Sequence, residues 1–277
     1  MQAVLASLLA SSLLVVGCSG TGHGGTGDEP SEPTSNKLGN GARLSEVLGP
    51  ATWFDPANED SVGCKSPTDR QVYVTGVTVA AIDRFDETGE GQLGNIYVQD
   101  TSLEPVPFSG ITVFAPSFSP PDLRLAEGDV ADMLGALTEF LGPSSGGFGE
   151  CKTLPEISGT MSFRLENGTR DPVSIDVEEL KGYESARKWL GMLVRIENVR
   201  TSDAGSGEIG DRYTAPLDVG PGVPASDVPS ISNELYDLQT EGPPLTAPTE
   251  FKSITGVVTY FYGFKVAPRS PADFEAL

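Results

Sequence analysis

Residues 71–83 read QVYVTGVTVAAID, and this stretch decides the fold. Val72, Val74, Val77 and Val79 alternate with smaller or polar residues around Gly76, the pattern of a half-buried strand. An isolated glycine inside such a strand marks a bulge or a sharp coil. Downstream, DETGEGQLG (86–94) is a turn-rich loop, and NIYVQD (95–100) and GITVFAP (110–116) are short strands separated by a second loop. In LAEGDVADMLGALTEFLG (125–142), Glu127-Gly128-Asp129 reads as a turn and Val130 to Phe140 as a strand, although residues 131–137 also fit a helix. TMSFRLENG (160–168) closes the series. Short strands led by a long one with an internal glycine fit a small closed barrel better than a flat sheet, because barrel strands must bend.

The second half of the chain reads differently. DVEELKGYESARKWL (176–190) carries the strongest helical signal: Asp176 as a cap, Glu178 and Glu179 in the first turn, Arg187 and Lys188 near the end, with Gly182 weakening it. That charge order suits the helix dipole. GMLVRIENVRTSD (191–203) follows as a strand, then a Gly, Pro and Asp rich stretch over 203–230. FKSITGVVTYFYGFKVAPRS (251–270) reads as two strands meeting near Gly263. Its ITGVV (254–258) echoes VTGV (74–77), which points either to two related modules or to a chance likeness of Val-rich strands; the spacing is far too long for a solenoid array.

Three of these stretches together resemble a known family. WLGMLVRIENVRTSD (189–203), ITGVVTYFYGFKVAPRSPADF (254–274) and GNIYVQD (94–100) look like the oligonucleotide/oligosaccharide-binding (OB) type domains that accompany secreted bacterial nucleases and that also occur in bacterial lipoproteins without a catalytic domain. The resemblance implies a mainly β chain of two tandem OB-like β-barrels with a short helix, the first over 45–170 and the second over 171–277. It implies no reaction, since the nuclease activity of such relatives belongs to a separate domain, and no such domain is read after the barrels here.

The N-terminus supplies an address. MQAVLASLLASSLLVVGC (1–18) is apolar, too short to span a bilayer, and has the flank of a secretory signal. Val15-Val16-Gly17-Cys18 resembles the bacterial lipobox, which makes 1–17 a lipoprotein signal peptide and Cys18 the lipidated residue; an ordinary signal peptide is the alternative. The lack of Lys or Arg in residues 1–17 raises the expectation that the real start lies upstream of Met1. Residues 18–44 are Gly, Ser, Thr, Pro and acid, the composition of a disordered tether. The expected location is therefore the bacterial outer membrane or cell surface, with the membrane as partner through the anchor. In an exported chain the remaining cysteines, Cys64 and Cys151, are expected to pair, which would stabilise the fold by ~4 to 5 kcal/mol on the chain-entropy model; two buried thiols are the alternative.

The formal net charge is −21, from 39 acids against 18 bases. That field repels polyphosphates, so nucleic acid is a disfavoured partner. The single histidine, His23, lies in the tether, and no nucleophile elbow, zinc signature, phosphate loop or dinucleotide fingerprint is present. No enzyme activity, metal or cofactor is expected. Carboxylate pairs such as Asp83 with Asp86, or Asp129 with Asp132, could do acid–base work, which leaves a carboxylate-based hydrolase as the alternative to a non-enzyme, and the Asp86–Gly91 run departs from a calcium loop by placing Tyr97 where the last carboxylate ligand belongs.

Candidate ligand residues are Tyr97 and Gln99 on the second strand, with Phe114 and Phe118 nearby, and a basic group of Arg187, Lys188, Arg195, Arg200 and Arg212. Aromatics in strands are more often core, and Glu184, Glu197, Asp203 and Asp211 are expected to neutralise the basic group one by one. Arg269, after Pro268, is expected to clasp Asp273. These features imply an envelope-anchored, non-catalytic binding or scaffolding protein, its partner an envelope glycan or protein. The alternative is a nucleic-acid-binding accessory to a separately encoded nuclease.

Overall fold

The computed structural model describes residues 41–48, 70–87, 89, 94–101, 106–114, 125–149, 152–168, 171–207, 212–246 and 248–277. Cys18, Cys64, Cys151, His23, Phe118 and Asp211 lie outside these residues.

The architecture is mainly β: a closed barrel of five strands and a second, seven-stranded sheet. The barrel consists of β1 (Arg70–Ile82), β2 (Ile96–Asp100), β3 (Gly110–Phe114), β4 (Asp129–Phe140) and β5 (Leu154–Asn167), and closes in the order β1-β2-β3-β5-β4. All neighbours are antiparallel except β3 and β5, which run parallel. Residues 130–140 are strand, which resolves the ambiguity of that stretch.

β1 bends where its glycine lies. Its pairing with β4 shifts register between Val74 and Val77, and Gly76 has φ of +63°, a conformation only glycine adopts cheaply. Asp132 secures the bulge by accepting the Gly76 N–H at 2.9 Å and the Tyr73 hydroxyl at 3.0 Å. The barrel core is aliphatic: Val72, Val74, Val77, Val79, Val98, Ile111, Val113, Met133, Leu137 and Ile157. Helix α1 (Leu44–Leu48) adds Leu44, Val47 and Leu48 to this core. The Asp100 carboxylate anchors it by accepting the Leu44 and Ser45 N–H groups at 2.7 and 3.0 Å. Residues 41–44, assigned above to the tether, thus belong to the folded body: Ala42 bridges Val74, and Leu44 is fully buried.

The second sheet is built from β6 (Val173–Ile175), β7 (Leu193–Arg200), β8 (Thr214–Pro216), β9 (Ser230–Ser232), β10 (Glu250–Tyr260), β11 (Phe264–Ala267) and β12 (Phe274–Ala276). Its path is β6-β7-β10-β11-β9-β8, with β12 also paired to β10. A bridge between Thr201 and Leu217 brings the end of β8 back to the end of β7. Followed from β7, the pairings therefore run β7-β8-β9-β11-β10, the circuit of the first barrel, with the parallel contact again between its third and fifth members.

Two expectations change. The stretch 176–190 is not one helix: 3-10 turns at Val177–Leu180 and Arg187–Trp189 flank α2 (Tyr183–Ala186). Gly182, at φ +70°, breaks the run, its N–H turned to the Asp227 carbonyl, and the Asp176 side chain makes no capping bond. The VTGV and ITGVV echo does not align equivalent strands either, since β1 is first in its circuit and β10 is the fourth strand in chain order of the second. Gly256 continues the β7 register opposite Val194 without a shift; a Cβ there would meet Val266 Cγ1 at 2.7 Å, so this glycine serves close packing rather than a bend. A further short helix, α3 (Leu238–Glu241), is capped by the Asp237 side chain.

Candidate functional site

Of the residues singled out for binding, Tyr97, Gln99 and Arg187 lie at the seam between the barrel and the second sheet, and Lys188, Arg195 and Arg200 pair within the second half. Tyr97 is 6% exposed and packs with Ala80, Ala81, Leu193, Leu235, Val257 and Ala267. Gln99 is fully buried, and its Oε1 accepts the Leu193 N–H at 3.1 Å. Neither side chain faces solvent: the second sheet occupies the β2 face on which a ligand was expected. Phe114 remains 42% exposed at the end of β3.

Two glycines let the backbones approach. Gly191 has φ of +72°, and a Cβ on it would lie 2.7 Å from Ile111 Cα; a Cβ on Gly110 would lie 2.6 Å from the Gly191 carbonyl carbon. Beside them the Phe108 N–H donates to the Lys188 carbonyl at 2.7 Å. Backbone-to-backbone contact of this kind leaves no room for side chains and fixes the docking geometry.

The basic group is dispersed, each cation on its own carboxylate. Arg187, 8% exposed, donates to Glu139 at 2.6 Å across the seam. Lys188 pairs with Glu179 at 2.7 Å, and Arg195 with Glu275 at 2.6 Å and Glu197 at 3.6 Å. Arg200 donates to Asp218 at 2.6 Å. Arg212 reaches Glu87 at 3.4 Å and lies 3.6 Å from the centre of the Phe261 ring. Of the neutralising acids expected from sequence, Glu197 appears in these pairs and Asp211 lies outside the described residues; Glu139, Glu275 and Glu87 come from distant segments, and Glu179 from the stretch that carries Lys188. Hydrogen bonds from Lys252 and Arg195 hold Glu275 down at about 2.

The carboxylates considered for catalysis separate into structural roles. Asp132 holds the Gly76 bulge, and Asp129 accepts the Ala126 N–H at 2.7 Å within its turn. Asp83 caps its own turn through the Phe85 N–H at 3.2 Å. Burial, with Glu87, Glu234 and Asp86 nearby, pushes it up to about 7 despite that bond. On the other flank of the seam, burial raises Glu139 to about 7 against the pull of Arg187, and burial together with Glu139 does the same to Glu156. Among the described residues, no three His, Cys, Asp or Glu side chains form a group suited to a metal ion.

Arg269 clasps Asp273 through one edge of its guanidinium, Nε and Nη2 donating at 3.0 and 2.8 Å, while Nη1 donates to the Ala80 carbonyl at 3.4 Å. The C-terminal stretch is thereby tied to β1 as well as to its own sheet.

Reading the sequence missed Glu139, Glu156, Glu87, Glu234, Lys265, Gly110 and Gly191. One signal was present for Glu139: strand alternation in β4 puts it on the side of Met133 and Leu137 while Phe140 points outward, 37% exposed. A charge where an apolar residue belongs marks a buried pair.

No protein-family model matches the chain, and no curated protein matches it.

Proposed function

We propose that this chain is a lipid-anchored envelope protein whose two OB-like β modules act as a single non-catalytic binding or scaffolding body. The observation that carries this reading is the strand circuit: it occurs twice, each time with one parallel pairing between the third and fifth members. That order is what a five-stranded Greek-key barrel of OB type uses. The second half closes through one bridge instead of a ladder, which makes it the more open of the two.

Two features favour scaffolding over polymer capture. The β2 face of the first module is spent on its neighbour, through Tyr97 and Gln99. The cations that a nucleic-acid accessory would use, Arg187, Lys188, Arg195 and Arg200, are each bound to a carboxylate. A phosphate would have to displace those partners against a field of −21. The address rests on the lipobox resemblance at Val15–Cys18.

The test measures binding of the full chain to labelled single-stranded DNA and to envelope glycans, at low and physiological salt. Cys18→Ser is followed in parallel for incorporation of a labelled fatty acid. The expected results are no salt-sensitive DNA binding and loss of lipid and membrane retention in the variant. DNA binding that weakens steeply with salt and is lost with Arg195→Ala and Arg200→Ala would replace this reading with the nuclease-accessory one.

A further inference from the structure

Two loop tips that meet carry no charge, on a chain in which 21% of residues are charged. Residues 140–149, at the end of β4, read FLGPSSGGFG, and 260–264, around the turn between β10 and β11, read YFYGF. The first tip is held shut by the Phe148 N–H on the Leu141 carbonyl at 2.9 Å and by turn bonds from Gly146 and Gly147 to the Pro143 carbonyl. The second is closed by the Phe261 N–H on the Gly263 carbonyl and by the pairing of Tyr260 with Phe264. Buried Phe148 joins the two, meeting Phe140 at 5.4 Å and Tyr262 at 5.3 Å between ring centroids, each edge to face. Around it Phe140, Leu141 and Tyr262 stay exposed, the last two by 48% and 50%. Tyr262 also holds φ of +55°, a conformation that costs a bulky side chain energy and that glycine adopts freely.

We propose that these tips form a lipid-contact surface: Phe140, Leu141 and Tyr262 enter the headgroup boundary of a zwitterionic bilayer when the anchor holds the body beside it. The chemistry of the patch selects this partner. Phenylalanine and leucine gain by leaving water, and tyrosine suits the boundary, with its ring toward the acyl chains and its hydroxyl among the headgroups. Charge is what the edge of a bilayer penalises, and both tips lack it. A glycan site needs convergent hydrogen-bonding groups, whereas the side chains here offer only the exposed hydroxyls of Ser144, Ser145 and Tyr262. A nucleic acid needs cations, and Arg212, 3.6 Å from the centre of the Phe261 ring, is paired with Glu87. Contact therefore relies on apolar burial and not on anionic lipid, which a net charge of −21 repels. The inference rests on the lipid-anchored reading for bringing this surface to the membrane, and adds that the tips fix how the body lies there.

The test uses vesicles of phosphatidylcholine and phosphatidylethanolamine with brominated acyl chains, and the full chain carrying Cys18→Ser so that no lipid on the protein contributes. Residues 1–17 are apolar enough to hold the chain on vesicles, so local reporters decide. Tryptophan emission, corrected for Trp53 and Trp189 of the chain itself, is read for Tyr262→Trp, Leu141→Trp and Leu277→Trp. Leu277 is 76% exposed and follows β12, which pairs with the start of β10, the end of that strand away from Tyr262. The emission added at 262 and at 141 should be quenched and shifted to the blue, and that added at 277 should not. Combining Leu141→Ser with Tyr262→Gly, which suits the φ of the turn, should lower vesicle partitioning roughly tenfold at low and at physiological salt. No quenching at 262 and 141, or equal quenching at 277, overturns the inference. So does glycan binding that is lost in Tyr262→Gly while the tips stay unquenched, which would make the patch a sugar platform. The anchor is tested separately: a natural chain that takes up no labelled fatty acid while its tips still quench overturns the anchor and leaves the lipid contact standing.

Discussion

The first barrel and the second sheet share one order of pairings, but only the first is a closed barrel. In the first, β1 spans Arg70–Ile82 and pairs along most of its length with β4 and then β2, so the ring closes by ladder. In the second, β8 and β9 have three residues each, and the ring returns to β7 through the Thr201–Leu217 bridge, flanked by bonds from Ser202 N–H to the Pro216 carbonyl and from Asp218 N–H to the Arg200 carbonyl. The cores differ accordingly. Among the described residues the buried side chains of the closed barrel's core are aliphatic or Met133, whereas Phe148, Tyr183, Trp189, Tyr236, Phe251, Tyr260 and Phe264 join the aliphatic residues of the second core. These rings meet edge to face, as Phe148 does Tyr260 at 5.1 Å between centroids. The half with the looser pairing is thus the one whose core carries the buried aromatics. Phe148, from the loop after β4, belongs to the second core, so the two halves also share packing.

The largest way to break this arrangement is at Gly191. Valine there meets a positive φ and the Ile111 backbone at once. Strain and overpacking together are expected to destabilise by about 3 to 5 kcal/mol. Denaturant unfolding followed by far-ultraviolet circular dichroism measures it, and a shift below about 1 kcal/mol would show that the close approach is dispensable. Next is Arg187→Met, which leaves Glu139 buried without its cation; the expected loss is about 3 to 5 kcal/mol at neutral pH. Adding Glu139→Leu should recover most of that loss, because an apolar pair at such a site is often neutral or better. Failure of the double variant to recover would place the effect of Arg187 in packing, not charge.

What the sequence disclosed follows the reach of its interactions. β1, β2, β3, β4, β7, β10 and β11 are visible as alternating apolar runs, and the Gly76 bulge as a glycine within one of them. β6, β8, β9 and β12 are too short for periodicity to register; tertiary pairing alone makes them strands. α1 was missed because Leu44, Val47 and Leu48 are few, and their helix depends on Asp100, 55 or more residues away. The Arg269–Asp273 clasp was legible because its partners are four residues apart. The seam was not: the sequence allows Tyr97 to be a ligand platform or core, and only the second sheet shows what it packs against.

Leu44→Ala sharpens the comparison, since it strikes the first core alone. Truncating this fully buried side chain should cost about 3 kcal/mol. Protection from hydrogen exchange should fall in 96–100 and 111–113 more than in 193–199, and equal loss in both halves would mean that they unfold as one unit. The smallest effect expected is at Arg269→Met. Its guanidinium is 28% exposed and its partner Asp273 lies nearby in sequence, so screening and local geometry limit the loss to about 1 kcal/mol. The informative readout is where that loss falls. Removing the guanidinium cuts its bond to the Ala80 carbonyl as well as the clasp, whereas Asp273→Asn leaves the contact with β1 in place. Arg269→Met should therefore raise exchange in 80–83 and Asp273→Asn should not. No rise in 80–83 in Arg269→Met would show that the C-terminal stretch secures only its own sheet, and a rise in both variants that the Asp273 clasp is what holds the guanidinium on β1.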